Sequence, residues 1–215
     1  MRSRLLRGIA EKLAPPSLLV TRGAGSRREV AITFDDGPDP LLPEYLDVLD
    51  RFGARATFFL LGGACAKRRD GLLELVRRGH EPASHGYTHR RFPNLAAPAL
   101  IDELDRTAAL LPVPRTPRPL VRPPQGALSF AALARCARLG YTTVMWSLDS
   151  DDCRTEDPKV VMARTAPERV APGEIILFHE GQRWTLEALP EILTGLTSAG
   201  YALVTVGELL AGGAG

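Results

Sequence analysis

The sequence predicts a single α/β domain folded as a distorted or incomplete (β/α) barrel with about seven parallel strands. From residue 29 onward, short apolar β-like runs alternate with segments of helical spacing, which is typical of parallel strands joined by crossover helices. Polar motifs follow five of the seven runs. An open sheet collects its ligands at one switch point, whereas a barrel brings all its strand ends to one rim. Five motif-bearing strand ends therefore favour the barrel.

Each predicted strand lies next to a predicted helix. The segments predicted as strands are 29–34, 56–61, 81–84, 120–122, 141–146, 175–178 and 201–205. Those predicted as helices are 43–52, 70–78, 97–111, 129–139, 157–166, 186–199 and 206–210. Apolar residues recur every three or four positions in the helical segments, as expected of helices that pack on a sheet with one face.

The composition is that of an ordinary globular chain. Hydrophobic residues make up 45% and charged residues 24% of the 215 residues, and this length suits one compact domain. The formal net charge of +2 is too small to indicate a nucleic-acid partner. The three cysteines are widely spaced and form no redox or zinc motif, so free thiols in a reducing compartment are expected.

Three regions are predicted along the chain: an N-terminal extension (1–28), a main domain that contains all five motifs (29–210) and a flexible tail (211–215). Apolar residues from Leu5 to Leu13 have helical spacing, which predicts an amphipathic helix that packs on the domain or contacts a membrane surface. No run approaches the roughly 20 apolar residues of a membrane span. A convincing secretory signal is also missing, so the expected location is cytoplasmic or peripheral to a membrane.

Three side chains in two motifs predict a metal site. Asp36 belongs to Thr-Phe-Asp-Asp-Gly-Pro (33–38), and His85 and His89 belong to Ser-His-Gly-Tyr-Thr-His (84–89). On one helical turn, a spacing of four places both imidazoles on the same face. Two His and one carboxylate leave positions open for water and substrate, which suits Zn²⁺ and also Co²⁺, Mn²⁺, Ni²⁺ or Fe²⁺. The alternative interpretation is a polar turn and two surface histidines.

Asp35 and Arg122 together predict a positioned base. Asp35 and Asp36 are adjacent at a strand end, so their side chains point in different directions and can serve different purposes. Arg122 ends another predicted strand and is followed by two prolines. An arginine held in this way can orient a carboxylate through paired hydrogen bonds, although an ordinary salt bridge is the alternative.

His179 ends the apolar run 175–178, a position that favours a general acid over a satisfied core histidine. Asp149 and Asp152 are candidate partners for Arg122 and His179, because a carboxylate behind a histidine fixes its tautomer and raises its basicity. Together these residues would provide a metal site, a base and an acid, which are the groups that a metal-assisted hydrolysis uses.

Five motifs in this order resemble those of the polysaccharide deacetylase family, also called the chitin-deacetylase-like or NodB-homology domain. They are Thr-Phe-Asp-Asp-Gly-Pro (33–38), Ser-His-Gly-Tyr-Thr-His (84–89), Arg-Pro-Pro-Gln-Gly (122–126), Asp-Ser-Asp-Asp (149–152) and Leu-Phe-His-Glu (177–180). The resemblance covers about residues 29–210. It implies a distorted (β/α) barrel and metal-dependent removal of acetyl groups from N- or O-acetylated sugars.

The resemblance also implies a role for each matching position. Asp35 is the expected base and Arg122 the residue that orients it, while His179 is the expected acid, supported by Asp149. The expected metal ligands are Asp36, His85 and His89. Ile176 and Leu177 are expected to line a pocket for the acetyl methyl group.

The motifs depart from the family pattern at three positions. Gln125 stands where the family has Tyr, but the backbone N–H at this position can still contact the developing oxyanion. Cys153 stands where the family has Trp, and Gly86 where it has Ser or Thr. The aromatic residues left to contact a sugar are Tyr87, Phe92, Trp146 and Trp184. Trp184, the nearest in sequence to His179, is expected to form one wall of the substrate groove.

The function expected from this combination is hydrolytic removal of an acetyl group from an N-acylated sugar. The substrate is an acylated poly- or oligosaccharide or a glycolipid, with short or lipid-linked sugars preferred to long insoluble polymer because two aromatic surfaces are lost. One alternative is a related amidohydrolase acting on a formamide, a cyclic imide or another small amide. The other is an inactive carbohydrate-binding module.

Overall fold

The computed structural model describes residues 14–15, 17–112, 114 and 116–212. The predicted N-terminal amphipathic helix lies in residues 1–13, outside the described part of the chain, and so do residues 213–215 of the predicted tail. No helix among the described residues combines the length and apolarity that crossing a membrane requires.

The described residues form nine strands and eight α-helices. The strands are β1 (Leu19–Val20), β2 (Glu29–Asp35), β3 (Thr57–Leu60), β4 (Glu81–Ser84), β5 (Leu120–Val121), β6 (Thr142–Val144), β7 (Leu148–Asp149), β8 (Ile175–His179) and β9 (Ala202–Val204). The helices are α1 (Leu42–Arg51), α2 (Gly62–Lys67), α3 (Arg69–Arg77), α4 (Ala97–Ala108), α5 (Phe130–Arg138), α6 (Pro158–Arg164), α7 (Arg183–Ser198) and α8 (Val206–Ala211).

The strands form one parallel sheet that curls into an incomplete barrel. Their order is β1-β6-β5-β4-β3-β2-β8-β7, with β9 paired to the first half of β2. Only residues 145–147 separate β6, near one end of this order, from β7 at the other end. The chain therefore bridges the two ends of the sheet, which forces the sheet to curl. This architecture confirms the predicted fold class.

Strand β2 lies between two apolar layers, one packed against each of its faces. Ile32 and Phe34 face the surrounding helices, where the Phe34 ring lies 5.0 Å from the ring of Phe58 and 5.6 Å from that of Phe178. Ala31 belongs to a different cluster, together with residues of β3 and β8 that face the same side. Because both faces of a parallel strand are covered, β2 is a nearly continuous apolar run.

Seven of the nine strands were predicted, and the two missed strands have only two residues each. β7 follows β6 after only three residues, and the single strand predicted at 141–146 did not include it. β1 lies within the predicted N-terminal extension but pairs with β6 through Leu19 and Val20. Residues at this end of the extension are therefore part of the sheet. Helix α2 was not predicted either, because two glycines begin it and glycine is a poor helix former.

Strand register brings the motif residues to one rim. Asp35 at the end of β2 is the register partner of His179 at the end of β8. Ser84, which precedes His85, pairs with Val121, which precedes Arg122. Asp149 at the end of β7 pairs with Leu177. All of these pairs are parallel, so their carboxyl ends share one edge of the sheet.

Candidate metal and catalytic site

The carboxyl ends of the strands surround a cavity of about 300 Å³. Its lining residues come from all five motifs and from the segments that follow β6, β7 and β8. They are Asp35, Asp36, His85, His89, Gln125, Gly126, Trp146, Asp149, Cys153, Arg154, Leu177, His179 and Gln182. The predicted base, acid and metal ligands therefore lie in one cavity.

The three predicted metal ligands converge on one side of this cavity. Asp36 Oδ1 lies 3.2 Å from His89 Nε2 and 3.6 Å from His85 Nε2, and the three donor atoms lie within 4.8 Å of one another. Asp36 Oδ1 is buried and accepts no hydrogen bond from the described residues. A buried anionic oxygen without a donor is unfavourable. A divalent cation among the three atoms would satisfy it, so these residues fit a metal.

The protonation state of His85 also suits a metal ligand. Its Nδ1 lies 2.7 Å from the backbone carbonyl oxygen of Arg122. Because a carbonyl oxygen only accepts, Nδ1 carries the proton and donates, which leaves a lone pair on Nε2. His85 is buried, and burial lowers its pKa. The neutral imidazole that a metal requires is thus the favoured form.

The two histidines meet for a different reason from the one predicted. Residues 85–91 form a loop rather than a helical turn, with Gly86 at φ 78° and His89 at φ 62°. These two left-handed residues turn the chain so that the imidazole rings approach to 5.3 Å. The predicted helical geometry was therefore wrong, although the predicted ligands come together.

Asp35 is held by Arg122, as predicted. Arg122 Nη1 donates to Asp35 Oδ1 at 2.7 Å and to Thr33 Oγ1 at 2.9 Å. The guanidinium is fully buried, donates to the carbonyl oxygen of Met145 and lies over the Phe59 ring at 3.9 Å. These contacts leave Arg122 little freedom, so it presents the Asp35 carboxylate to the cavity in one orientation.

The partner of His179 is Asp152, which corrects the role assigned to Asp149. His179 Nδ1 lies 2.7 Å from Asp152 Oδ1, and the His179 backbone N–H donates to Asp152 Oδ2 at 2.6 Å. Burial of the imidazole lowers its pKa, but the hydrogen bond and charge of Asp152 outweigh that effect and raise it to about 9. Thr185 Oγ1 also donates to Asp152 Oδ2, at 2.9 Å. His179 is therefore protonated at neutral pH.

Asp149 lines the cavity, but its carboxylate has other partners. It accepts the Asp151 backbone N–H and an Arg154 guanidinium N–H, both at 3.0 Å. Asp151 has φ 66°, and this left-handed residue turns the chain after β7. The turn separates Asp149, on the strand, from Asp152, which lies in the following 3₁₀ helix and contacts β8.

The predicted substrate-binding residues divide into two groups. Gln125 and Leu177 line the cavity as predicted. Ile176 packs among the residues between sheet and helices, because alternate side chains of a strand point to opposite faces. The Tyr87 ring lies against the Arg106 guanidinium outside the cavity lining. The prediction that Ile176 lines the pocket was therefore wrong, whereas contact of Tyr87 with substrate stays a prediction.

Trp184, expected to form one wall of the substrate groove, does not line this cavity. Its indole N–H donates to the Asp152 carbonyl oxygen at 2.7 Å, and it is absent from the cavity lining. Trp146 supplies the aromatic wall of the cavity instead. A Cβ on Gly126 would lie 2.5 Å from the Trp146 ring, so glycine is required at this position for the ring to pack there.

Glu180, in the same motif as His179, is turned away from the cavity lining. It is buried, and its carboxylate accepts the Asp39 backbone N–H. Burial raises its pKa to about 8. Its own backbone N–H donates to the Asp35 carbonyl oxygen at 2.9 Å. Glu180 thus joins β8 to the loop that carries Asp36. Sequence reasoning also missed Gln182, whose contribution to the cavity depends on the loop before α7.

Comparison with known proteins identifies the family. The family model described as polysaccharide deacetylase matches residues 22–144. The chain is 32% identical to a peptidoglycan-N-acetylglucosamine deacetylase of Bacillus cereus, over 94% of this chain and 97% of that protein. It is 35% identical to a chitooligosaccharide deacetylase of a Bradyrhizobium species, over 77% of this chain and 78% of that protein.

Solved structures share the fold. A peptidoglycan N-acetylglucosamine deacetylase in complex with a naphthalenyl N-oxidanyl-benzamide superposes with a TM-score of 0.85 at 26% identity, covering 91% of this chain and 94% of that chain. A pseudoenzyme from Bacillus anthracis superposes with a TM-score of 0.82 at 26% identity, covering 92% and 70%. Similarity of fold alone therefore does not establish activity. The family match and the sequence relatives together show that the chain belongs to the polysaccharide deacetylase family, hydrolases that act on carbon–nitrogen bonds other than peptide bonds.

Proposed function

We propose that this chain removes acetyl groups from N-acetylglucosamine units of peptidoglycan or chitooligosaccharides, with a divalent metal, most suitably Zn²⁺, held by Asp36, His85 and His89. One observation carries the proposal. Asp35, fixed by Arg122, and His179, fixed by Asp152, line the same cavity as the three candidate ligands. The relatives named above act on these two kinds of glycan.

A bound metal would polarise the acetyl carbonyl group and lower the pKa of a water molecule beside it. The residues of the chain perform the proton transfers. Asp35 accepts a proton from the attacking water, and Arg122 keeps its carboxylate aimed at the cavity. The Gln125 backbone N–H is the expected donor to the oxyanion that develops on the substrate.

His179 completes the reaction as the general acid. Asp152 occupies Nδ1, so Nε2 is the nitrogen available to give a proton to the departing amine. With a pKa of about 9, the imidazole carries this proton at neutral pH. Arg122 thus orients the base, while Asp152 favours the protonated form of the acid.

The residues that line the cavity support the proposal of a sugar substrate. Leu177 provides an apolar contact for the acetyl methyl group, and the Trp146 ring provides a flat surface for a sugar face. Cys153, in place of a large aromatic residue, leaves this side of the cavity without a second flat surface. We therefore propose short or lipid-linked acylated sugars as better substrates than long insoluble polymer. The cytoplasmic or membrane-peripheral location stays a prediction.

A panel of acylated substrates tests the proposal. Metal-reconstituted protein is incubated with chitooligosaccharides, soluble peptidoglycan strands, a formamide and a cyclic imide, and products are identified by mass. Loss of acetyl groups from the sugars, with no loss in Asp35→Asn loaded with the same metal, supports the proposal. Turnover confined to the formamide or the imide would indicate a different amidohydrolase. Sugar binding without turnover would indicate a carbohydrate-binding module.

A further inference from the structure

A buried carboxylate accepts several hydrogen bonds from the loop between the two histidine ligands. Glu103 on α4 is 5% exposed. Its Oε2 accepts the backbone N–H groups of Tyr87 at 2.6 Å and Thr88 at 2.8 Å, and its Oε1 accepts the Thr88 hydroxyl. Among the described residues, no basic side chain forms an ion pair with Glu103. These three hydrogen bonds from the loop are therefore what stabilises the buried carboxylate.

Backbone groups at the start of α2 also hold the loop. The carbonyl oxygens of Gly86 and Tyr87 accept the N–H groups of Gly62 and Gly63, each at 3.0 Å. The peptide groups between the histidines are thus bound by the start of α2 on one side and by Glu103 on the other. Of these contacts, only the hydrogen bonds to Glu103 have a side-chain acceptor. A substitution at Glu103 can therefore remove them without altering the backbone.

The two histidines depend on this loop to different degrees. His85 directly follows β4, its backbone N–H donates to the Leu60 carbonyl oxygen at 2.8 Å, and its ring is fixed by the Arg122 carbonyl group. His89 is partly exposed and adopts φ 62°, a left-handed conformation that is unfavourable for a residue with a side chain. Its position therefore relies on Thr88 and the residues before it.

Glu103 is also mounted on a rigid support. It lies on α4 between Leu100 and Leu104, which are fully buried, and its backbone carbonyl oxygen accepts the Thr107 hydroxyl at 2.8 Å. A carboxylate on a packed helix can hold a loop in one conformation, because the helix itself cannot follow the loop if it moves.

We infer that Glu103 is a positioning residue that holds His89 in place for metal binding and takes no part in the chemistry. The inference rests on the proposed function only in that Asp36, His85 and His89 bind a divalent metal. Removal of an outer contact of this kind typically weakens metal affinity by about 10- to 100-fold. Once the metal is bound, the reacting groups are unchanged, so turnover per bound metal should stay within about threefold of wild type.

Metal affinity of Glu103→Gln is the direct test. The substitution keeps the size of the side chain, but it places an NH₂ group opposite donors and removes the charge. Dissociation constants for Co²⁺ and Zn²⁺ are measured by calorimetry, and the Co²⁺ absorption spectrum reports the ligand geometry. Asp105→Asn is the matched control, since Asp105 is exposed on the same helix. We expect weaker binding and an altered spectrum in Glu103→Gln, and wild-type values in the control.

Two further variants test the inference in other ways, and one of them does not depend on the folding of Glu103→Gln. Thr88→Val removes only the hydroxyl donor and should weaken metal binding by a smaller factor. His89→Ala combined with Glu103→Gln should bind metal no more weakly than His89→Ala alone, because Glu103 acts through His89. A folded Glu103→Gln with wild-type metal affinity would overturn the inference. If Glu103→Gln does not fold, wild-type affinity in Thr88→Val would overturn it instead. None of these measurements needs substrate, so failure of the deacetylase proposal would be distinguishable.

Discussion

The two sides of the cavity satisfy their polar groups in different ways. On the metal side, Asp36 Oδ1 is buried and accepts no hydrogen bond from the part of the chain that the structure describes, and two imidazole Nε2 atoms lie near it. On the acid side, His179 and Asp152 satisfy each other, and both Asp152 oxygens accept hydrogen bonds. Under the proposed function, the metal side is complete only with a cation, whereas the hydrogen bonds of the acid side are already formed. This difference separates variants that lose metal from variants that lose proton transfer.

The largest effect is expected from loss of a histidine ligand. In His85→Ala, two donor atoms remain, so the protein should purify without stoichiometric metal and turnover should fall to background. His89→Ala should also lose metal, but less completely because His89 is partly exposed and water can occupy its position. Metal content is measured by atomic emission together with turnover. Normal metal content in both variants would show that Asp36, His85 and His89 are not the ligands.

Asp35→Asn should separate the metal from the base. The three ligand atoms remain, so metal content should be that of wild type, while turnover should fall by about 10²- to 10⁴-fold because the proton acceptor is lost. Metal analysis and steady-state kinetics on the same preparation check both expectations. A wild-type rate would leave Asp35 with a structural role in the turn.

A comparison of Asp152→Asn with Asp149→Asn tests the acid side. The hydrogen bond and charge of Asp152, with smaller contributions from Asp35 and Asp36, raise the pKa of His179 to about 9, so the acid form persists through neutral pH and is lost as pH rises through that value. Asparagine at 152 removes the charge, and the alkaline limb of the rate profile should move to lower pH, with turnover reduced about tenfold at neutral pH. Asp149→Asn is the control, and its alkaline limb should not move. A shift in Asp149→Asn alone would restore the role first assigned to that residue.

The smallest effects are expected from the two tryptophans. Trp146 lines the cavity, so Trp146→Ala should raise KM several-fold with little change in kcat, as expected when only substrate binding is lost. Trp184 holds the Asp152 carbonyl group, so Trp184→Ala should lower kcat and leave KM nearly unchanged. Steady-state kinetics on a soluble acylated oligosaccharide decides the question. The opposite pattern would return Trp184 to the substrate groove.

The candidate ligands on the metal side could be predicted from the sequence, but the geometry of the loop that joins the two histidines could not. Asp36, His85 and His89 stand out because they follow strand-like runs whose ends meet at one rim. The loop that joins the histidines depends on left-handed conformations at Gly86 and His89 and on Glu103. Glu103 lies in an amphipathic helix, where the pattern does not distinguish a buried carboxylate from an exposed one.

The order of strands and motifs determined the barrel, the cavity rim and the candidate base, acid and metal ligands, because parallel strands place their carboxyl ends on one edge. Only the tertiary structure decided which of three nearby aspartates supports His179, which tryptophan lines the cavity and which side chains of β8 face it. These choices depend on the left-handed turn at Asp151, on the glycine at 126 that admits the Trp146 ring, and on strand register. The contacts that result, Asp152 with His179 and Gly126 with Trp146, join residues far apart in the chain, and local spacing carries no information about such contacts.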